Sequence, residues 1–558
     1  TSSAASDVYK RQVYITKGLK MRYKTVTIVG GGSSGWMTAA ALAKCCPHLE
    51  VTLIESKSIG TVGVGESTLG HINRFMQLLD LKDEDWMAAC NATYKNSIQF
   101  TNFRENKGEV FQYPFSNGLD LTDKPSGEDN WKHLAAMRPE DYGPEEYARF
   151  FCTGNTLLAE YNKETKNEKG VLRNFNWQLD TAYHMDAQLF GQYLKDNIAI
   201  PLGVKHIYGE VHSHMKDPTN NYITQVLCHD GTILNSDLYI DCTGFASVLL
   251  EQWMGSHFRS FEGTLANDAA WACRLPYTDR EKQMHNVTDC FALGNGWVWN
   301  IPLWNRIGTG YVYSTRFTTP EAAKEEFRKH IAETHTPEIA KAAEMFEVKI
   351  RHGRRHRAWK GNVVGVGLSY GFVEPLESTG LLTTHENIIK LVDTLNRREG
   401  FVTGSEREGF NFSAEYDVNK FRDFVAAHYA MSMREDTPYW RWCSELNEFD
   451  PSMHADEMQK QGQWPNLFGN LAGAHSYTAD LVGHNFIAAG MGLRPTGTPS
   501  LLYKYDHEQA MLEEEVGAVD RMYKQYKNFL IDHIKDLPTH YQYLLDNIYG
   551  GVDDHKLD

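Results

Sequence analysis

A cluster of glycines and one acidic residue have the types and spacing to bind a dinucleotide. Residues 30–35 read Gly-Gly-Gly-Ser-Ser-Gly, and Glu55 lies about 20 positions beyond Gly35. Gly30 would allow a tight turn, Gly32 would let the backbone approach a pyrophosphate, and Gly35 would let a helix pack closely on a strand. The Glu55 carboxylate would accept a hydrogen bond from a ribose hydroxyl. The alternative is a glycine-rich turn that binds no ligand.

The flanking segments predict the elements that position this cluster. A β-branched run, Thr25–Val29, precedes the glycines, a small-residue helical stretch, Met37–Ala43, follows them, and a second apolar run, Val51–Ile54, ends at Glu55. Strand, turn, helix and strand in this order make a Rossmann-type unit whose helix N-terminus faces the phosphates. The loop that follows ends at Gly65, and its glycines suit close approach of the backbone to a ligand.

Two later segments extend the predicted nucleotide-binding sheet. The apolar run Leu238–Asp241 ends in Asp-Cys-Thr-Gly, so that Gly244 follows the strand in a pattern typical of flavoproteins with dinucleotide-binding domains. A third run, residues 363–367, leads towards an apolar helix at residues 381–395. The fold is therefore predicted to be α/β and discontinuous in sequence, with an interleaved antiparallel sheet and a mainly helical C-terminal part.

These patterns also predict how the chain is divided. Residues 1–20 resemble a translated sequencing adapter, which would place the natural start at Met21. A stripe at helical spacing is predicted to face the core in the last long helix, formed by Met511, Val516, Val519, Met522, Tyr526 and Phe529. The predicted parts are a discontinuous nucleotide-binding body at 21–400, with a substrate-side sheet at about 255–320 and an insertion at about 105–181, and a helical part at 401–558 that completes the substrate pocket.

The composition argues against several functional classes. The 558 residues carry a net charge of −16 at pH 7, which is unfavourable for a nucleic-acid surface. No apolar run approaches the roughly 18 residues of a membrane helix, and no signal peptide precedes the first strand, so we expect a cytoplasmic protein. The nine cysteines show no CxxC spacing, which favours reduced structural thiols and no metal site.

One motif adds a more specific resemblance. Residues 297–302 read Trp-Val-Trp-Asn-Ile-Pro, and beside the glycine motif they make the chain resemble the flavin-dependent tryptophan-type halogenases, whose hallmark is W-x-W-x-I-P. The resemblance implies a body like that of flavin-containing monooxygenases, in which Trp297 and Trp299 keep the substrate away from the flavin and Pro302 ends the motif. Further matching segments are residues 30–37, 62–66, 91–95, 241–245, 308–313, 374–380 and 436–438.

The resemblance also implies roles for the site residues. In that family, reduced FAD and O2 oxidise a halide ion to hypohalous acid, and the halide lies beside the flavin at a Thr-Gly pair, here Thr379 and Gly380. Hypohalous acid then passes to a lysine, here Lys95, which can hydrogen-bond it as an ammonium or form a haloamine. Glu377 would stabilise the cationic ring intermediate or help to remove its proton. Ser378 would link the flavin side to the lysine side.

Each of these residues has a more ordinary interpretation when it is taken alone. Lys95 would be a solvated lysine, Glu377 a carboxylate serving a helix N-terminus, and Trp297 and Trp299 core residues on one strand face. Their joint order and spacing favour the halogenase instead. The implied cofactor-binding residues are Gly30, Gly32, Ser33, Gly35, Trp36, Glu55, Gly65, Glu66, Asp241 and Gly244.

The sequence departs from the family pattern where the substrate would bind. Tryptophan halogenases clamp the indole with a histidine and a phenylalanine, and the matching positions here are Tyr113 and Phe115. An aromatic and asparagine-rich run of the tryptophan-specific members is replaced by residues 474–484. The expected substrate is therefore an electron-rich indole or phenol and not free tryptophan. The family includes marine bacterial and viral members that prefer bromide or iodide to chloride, and the adapter-like leader favours such an environmental origin.

Two other functions remain open from the sequence alone. A flavin-dependent monooxygenase would hydroxylate the aromatic, and a catalytically silent flavoprotein would act as a redox sensor. The tryptophan motif and Lys95 argue against the monooxygenase, and Lys95 and Glu377 argue against the silent flavoprotein. We find no second glycine motif for NAD(P)H, so reduced flavin is expected from a separate flavin reductase; a homo-oligomer is compatible with the sequence.

Overall fold

The computed structural model describes residues 21–58, 65–115, 127–173, 175–445, 479–493 and 506–550. The adapter-like leader at 1–20, the glycine loop at 59–64 and the substrate-side run at 474–478 lie outside the described residues.

A six-stranded sheet holds the glycine turn. Its central strand, Thr25–Val29, pairs in parallel with Glu50–Glu55 on one side and with Leu238–Asp241 on the other. Strands from segments far apart in the sequence thus share one sheet, which confirms the predicted Rossmann-type fold. The strand order is Trp359–Lys360, Val363–Gly365, Leu238–Asp241, Thr25–Val29, Glu50–Glu55 and Lys205–Tyr208.

A seven-stranded sheet carries the tryptophan motif. It is antiparallel except where Val287–Leu293 pairs in parallel with Ser97–Thr101. Gly296–Pro302 lies in its middle, between Ile307–Tyr313 and Val287–Leu293. The strand order is Phe346–Lys349, Ala269–Leu275, Ile307–Tyr313, Gly296–Pro302, Val287–Leu293, Ser97–Thr101 and Val110–Pro114.

Smaller sheets join distant segments. In one of them, Ala182–Met185 pairs with both Glu66–Ser67 and Thr93–Lys95, which brings Lys95 beside the end of the glycine loop. The other small sheets comprise Val211–Lys216 with Ile223–Cys228 and Ile233–Leu234, Phe258–Ser260 with Gly353–Arg355 and Gly371–Phe372, and Met21–Arg22 with Phe401–Val402.

The helices cover the sheets and form most of the described C-terminal part, as predicted. Thr379–Asn396 packs against Ser33–Cys45 and Gly404–Ala430. The remaining α-helices are Ile72–Leu78, Asp83–Trp86, Gly127–Met137, Glu146–Phe151, Thr153–Glu160, Trp177–Asp180, Ala187–Leu194, Arg280–Gln283, Pro320–Thr334, Pro337–Ala342, Pro438–Ser444, Ala479–Gly490, Asp506–Lys535 and His540–Asn547.

The predicted core-facing stripe on Asp506–Lys535 is partly wrong. Val516 and Val519 are buried, but Met511, Met522 and Phe529 are 70%, 48% and 57% exposed. Helical spacing identifies residues that share a face, whereas burial depends on which face the rest of the chain covers. The helix Asp506–Lys535 contacts the helices Thr153–Glu160 and Gly127–Met137.

Residues 351–357 form a basic segment, and all four of its arginines are paired with carboxylates. Arg351 and Arg355 both contact Glu251, and Arg354 and Arg357 contact Glu415 and Glu408. All nine cysteines lie within the described residues, and none of them forms a disulfide bond. Within the described residues, no helix is long and apolar enough to cross a membrane, and no group of three or more His, Cys, Asp or Glu residues could hold a metal ion.

Candidate active site

The glycine turn has a geometry that only glycine tolerates. Gly30 has φ = +113°, and a Cβ there would lie 2.2 Å from the Cys242 carbonyl oxygen. A Cβ on Gly35 would lie 1.9 Å from the Gly30 carbonyl oxygen. Gly32 is the N-cap residue of the helix Ser33–Cys45, so the first N–H groups of this helix are available to an anion. The turn therefore fits the pyrophosphate of a dinucleotide.

Glu55 ends its strand beside this turn. Its Oε1 lies 2.7 Å from His206 Nε2 and 3.4 Å from Lys195 Nζ. The Lys195 ammonium also lies 5.2 Å from the centre of the Trp36 ring. The predicted ribose acceptor thus belongs to a cluster of charged and aromatic groups, and neither His206 nor Lys195 had a signal in the sequence.

Other predicted cofactor residues shape the loops around the turn. Ser33 Oγ donates to the Ala187 carbonyl oxygen. The Asp241 carboxylate is buried and accepts from the backbone N–H groups of residues 243, 249 and 250, so it holds its own loop. Gly65 and Gly244 have φ values of +121° and +66°. Glu66 pairs with Met185 through the backbone.

Lys95 is fully buried. Its Nζ donates to the Thr68 carbonyl oxygen at 2.9 Å and to Ser378 Oγ at 2.8 Å, and it lies 5.0 Å from the centre of the Phe115 ring. Burial lowers the pKa of Lys95 from 10.5 to about 7, against the opposite influence of Cys290 and Glu377. A buried amine that titrates near neutrality can act either as a hydrogen-bond donor or as a nucleophile.

Ser378 connects Lys95 to a chain of buried polar groups. Ser378 Oγ donates to Ser67 Oγ at 3.0 Å, and Ser67 Oγ lies 2.7 Å from Thr288 Oγ1. Thr288 Oγ1 in turn lies 2.8 Å from His184 Nε2. Burial and the nearby Lys95 hold the pKa of His184 well below its usual range, so His184 is neutral at physiological pH.

Glu377 and His428 form a second buried pair. Both side chains have no exposed surface, and Glu377 Oε1 lies 2.5 Å from His428 Nε2. Burial raises the pKa of Glu377, and His428 and Lys95 act in the opposite direction. Glu377 Oε2 is buried and has no hydrogen-bond partner in the part of the chain that the structure describes. Sequence reasoning found Glu377 but missed His428, which lies within the helix Gly404–Ala430.

Thr379 and Gly380 have the features of an anion site. They open the helix Thr379–Asn396, so their N–H groups lie at its positive end. Among the described residues, the buried Thr379 hydroxyl has no hydrogen-bond partner, and a Cβ placed on Gly380 would meet nothing within 4 Å. An unpaired donor beside open space at a helix N-terminus fits a halide ion.

The tryptophan motif lies in the middle of the seven-stranded sheet. Trp297 and Trp299 lie 6.2 Å apart between ring centres. Trp297 is fully buried, and its Nε1 donates to Glu374 Oε2 at 3.1 Å. The Pro302 carbonyl oxygen accepts from Thr93 Oγ1, which ties the end of the motif to the strand that carries Lys95. Glu374 had no specific role in the sequence analysis.

Aromatic rings surround the predicted substrate positions. The ring centre of Tyr113 lies 6.1 Å from those of Phe115 and Phe424, and 5.9 Å from that of Phe486. A Cβ on Gly483 would lie 2.5 Å from the Tyr113 hydroxyl, so the helix Ala479–Gly490 packs against this ring. Tyr113 and Phe115 therefore lie together, on the same side as Lys95.

The described site combines a glycine turn, a buried lysine and an aromatic surrounding, and the class of protein follows from comparison with known sequences. The family model for tryptophan halogenase matches residues 25–496. The chain belongs to the tryptophan halogenase family, and it is an oxidoreductase. Flavin-dependent halogenases use reduced FAD, O2 and halide, and in general they receive the reduced flavin from a separate reductase.

Several relatives are similar over almost their whole length. The apo structure of VirX1 shares 51% identity with a TM-score of 0.84, covering 95% of this chain and 100% of that one. The crystal structure of the tryptophan 6-halogenase SttH from Streptomyces toxytricini shares 30% identity with a TM-score of 0.78, covering 93% and 99%. The tryptophan 7-halogenase RebH from Lentzea aerocolonigenes is 30% identical, covering 88% of this chain and 94% of its own.

Proposed function

We propose that the protein halogenates an electron-rich aromatic compound, an indole or a phenol, by passing hypohalous acid to Lys95. The observation that carries this proposal is the position of Lys95. Its amine is buried, is hydrogen-bonded to Ser378, and lies against the Phe115 ring. Ser378 directly precedes the anion site at Thr379 and Gly380. Oxidant made at the anion site therefore has a polar partner on its way to an aromatic surface.

The residues around the glycine turn would hold the cofactor. The turn formed by Gly30, Gly32 and Gly35 would hold the pyrophosphate at the start of the helix Ser33–Cys45, and Glu55 would bind the ribose. The rest of the cofactor site would be formed by Ser33, Trp36, Gly65, Glu66, Asp241 and Gly244. Asp241 would contribute by holding its own loop in place. When bound, reduced FAD supplies the two electrons that let O2 oxidise the halide. A separate flavin reductase would supply the reduced cofactor.

The chain's own groups would control where the halogen goes. Thr379 and the N–H groups at the helix start would hold the halide. Lys95 would bind hypohalous acid through its N–H groups, or react with it, and polarise the halogen towards the ring. Glu377 would stabilise the positive charge that develops on the ring and accept its proton. Trp297 and Trp299 would keep the aromatic substrate away from the cofactor.

The aromatic side chains around Tyr113 favour a substrate other than free tryptophan. The position that matches the clamping histidine is Tyr113, whose ring packs against Phe424 and Phe486. Tyr113, Phe424 and Phe486 provide stacking surfaces for a flat aromatic ring, and none of these three described side chains is charged. An indole or a phenol without an amino-acid moiety matches this surface better.

Mass spectrometry of products tests the proposal. The protein would be incubated with FAD, a flavin reductase, NADH and a panel of indoles and phenols, in chloride, bromide or iodide. We expect halogenated products that Lys95→Ala abolishes and that the exposed-lysine control Lys329→Ala retains. Equal products from wild type and Lys95→Ala would mean that free hypohalous acid reacts in solution, which would refute the role of Lys95. Hydroxylated products would support a monooxygenase, and no product from any substrate would support the redox sensor.

A further inference from the structure

The Glu377–His428 contact contains a proton whose position is set by the backbone. His428 Nδ1 lies 2.8 Å from the Phe424 carbonyl oxygen. A carbonyl oxygen can only accept, so Nδ1 carries a hydrogen. The other ring nitrogen, Nε2, lies 2.5 Å from Glu377 Oε1. Two acceptors cannot form such a contact, so one proton lies between them.

This proton can occupy either side of the contact. If it is on Glu377, the pair consists of a neutral carboxylic acid and a neutral imidazole. If it is on Nε2, the pair consists of a carboxylate and an imidazolium, and the charge-assisted contact is the stronger and shorter kind. The side that holds the proton therefore decides whether Glu377 is a carboxylate.

The burial of Glu377 and His428 makes the position of this proton important for function. Both residues are fully buried, and the ring centres of Phe100 and Phe424 each lie 5.1 Å from that of His428. The other titratable groups that interact with Glu377 are Lys95 and Cys290. In such surroundings an isolated carboxylic acid keeps its proton. Glu377 Oε2, which has no partner in the structure, is basic only if the pair's proton stays on His428.

We propose that His428 is a positioning residue for ring halogenation: it keeps Glu377 in the carboxylate form, so that Oε2 can accept the ring proton. This inference rests on the proposed function and goes beyond it, since His428 would act through its contact with Glu377.

The proton balance of the step is complete. The ring carbon forms a bond to the halogen while the halogen–oxygen bond of hypohalous acid breaks. The released oxygen takes a proton from the Lys95 ammonium and leaves as water. The C–H bond then breaks, its electron pair restores the aromatic ring, and its proton goes to Glu377 Oε2. Transfer of that proton to the Lys95 amine restores both groups. His428 keeps its two protons throughout.

The variant that tests the proposal is His428→Gln, because glutamine keeps an N–H donor near Glu377 and removes the positive charge. A matched control is His330→Gln, since His330 is a buried histidine on the separate helix Pro320–Thr334. Each variant would be assayed with indole and bromide. Hypobromous acid formation would be measured separately, without indole, by bromination of a dissolved scavenger.

We expect His428→Gln to lower the rate of indole bromination at least tenfold while scavenger bromination stays within twofold of wild type. The acidic limb of the indole rate should move to higher pH, because loss of the imidazolium raises the pKa of Glu377. In a Glu377→Gln background, the same substitution should add no further loss. The control His330→Gln should change none of these results.

Infrared spectroscopy tests the same proposal without catalytic turnover. Difference infrared spectra should show a protonated carboxyl band that appears in His428→Gln and is absent from His428→Gln in the Glu377→Gln background. Absence of that band, or an unchanged acidic limb, would overturn the proposal. An equal loss of indole and scavenger bromination would also overturn it, because it would indicate a structural role. If wild type itself forms no hypobromous acid, the proposed function fails, and the infrared test still decides the state of the pair.

Discussion

Replacing Lys95 by methionine should make the protein more stable near pH 6, although it should abolish halogenation. The reason is that the folded protein buries an amine that the unfolded chain exposes to water. Burial lowers its pKa from 10.5 to about 7, and at about 1.4 kcal/mol for each pH unit this difference corresponds to at most about 5 kcal/mol. Methionine has a similar length and no charge, so it avoids this cost.

The lost hydrogen bonds reduce the expected gain. Lys95 donates to Ser378 and to the Thr68 carbonyl oxygen, and a buried polar group left without its partner costs about 1–3 kcal/mol. Two such groups would cost about 2–6 kcal/mol together, which offsets from about half to all of the electrostatic gain. We therefore expect Lys95→Met to raise the free energy of unfolding by at most about 3 kcal/mol at pH 6.

The pH dependence provides the sharper test. Below pH 7 the amine is charged in both states, so the full cost of burial is present. Between pH 7 and about 10.5 the unfolded chain binds a proton that the folded protein does not, so wild-type stability rises with pH relative to the variant. The advantage of Lys95→Met should therefore fall by about 2 kcal/mol from pH 7 to pH 9.

Denaturant unfolding of wild type and Lys95→Met at pH 6, 7, 8 and 9 would measure this difference. Lys329→Met is a suitable control, because the Lys329 side chain is 77% exposed, and its effect should not vary with pH. A pH-independent difference between wild type and Lys95→Met would refute the conclusion that Lys95 titrates near neutrality.

Two further predictions concern the anion site and the glycine turn. Thr379→Val, which keeps the shape and removes the hydroxyl, should raise the KM for halide several-fold and leave flavin binding unchanged; a halide titration at fixed flavin would check this, and an unchanged KM would exclude the hydroxyl as a ligand. Gly35→Ala should abolish flavin retention and lower Tm, since its Cβ would meet the Gly30 carbonyl oxygen at 1.9 Å. The helical control Gly409→Ala meets nothing within 4 Å and should raise stability by about 0.5–1 kcal/mol; flavin retained by Gly35→Ala would contradict the assignment of the turn.

The sequence predicted the nucleotide-binding sheet well because its signals are local. The turn after Thr25–Val29 requires glycine at two positions for steric reasons that lie within the motif and its neighbouring strands. The strand at Leu238–Asp241 and the helix from Thr379 also have clear apolar patterns. Such features depend on nearby residues, so a reading of the sequence can find them.

The site itself could be predicted only in part. Lys95 and Glu377 stood out because they lie in segments that match a family pattern, and neither has a distinctive local environment in the sequence. His428 and Glu377 are 51 positions apart, and His428 lies inside a 27-residue helix with no special spacing. The contact arises from tertiary packing, which periodicity does not encode. The same limit explains Met511 and Phe529, which were predicted to be buried and are exposed.

The backbone conformation of Ser378 lets three adjacent residues face three different partners. These are His428 for Glu377, Lys95 for Ser378 and the proposed halide for Thr379. Ser378 adopts φ = +55° and ψ = +32°, the left-handed region, which costs a non-glycine residue about 1–2 kcal/mol. This bend ends the turn Pro375–Glu377 and starts the helix Thr379–Asn396, so Glu377 contacts His428 while Ser378 contacts Lys95. Glycine would adopt the bend without strain, but it would leave Lys95 without its hydroxyl partner. The strain is therefore retained because the hydroxyl is needed at this position. We expect a Ser378→Gly protein to be less active than wild type, and no less stable than Ser378→Ala.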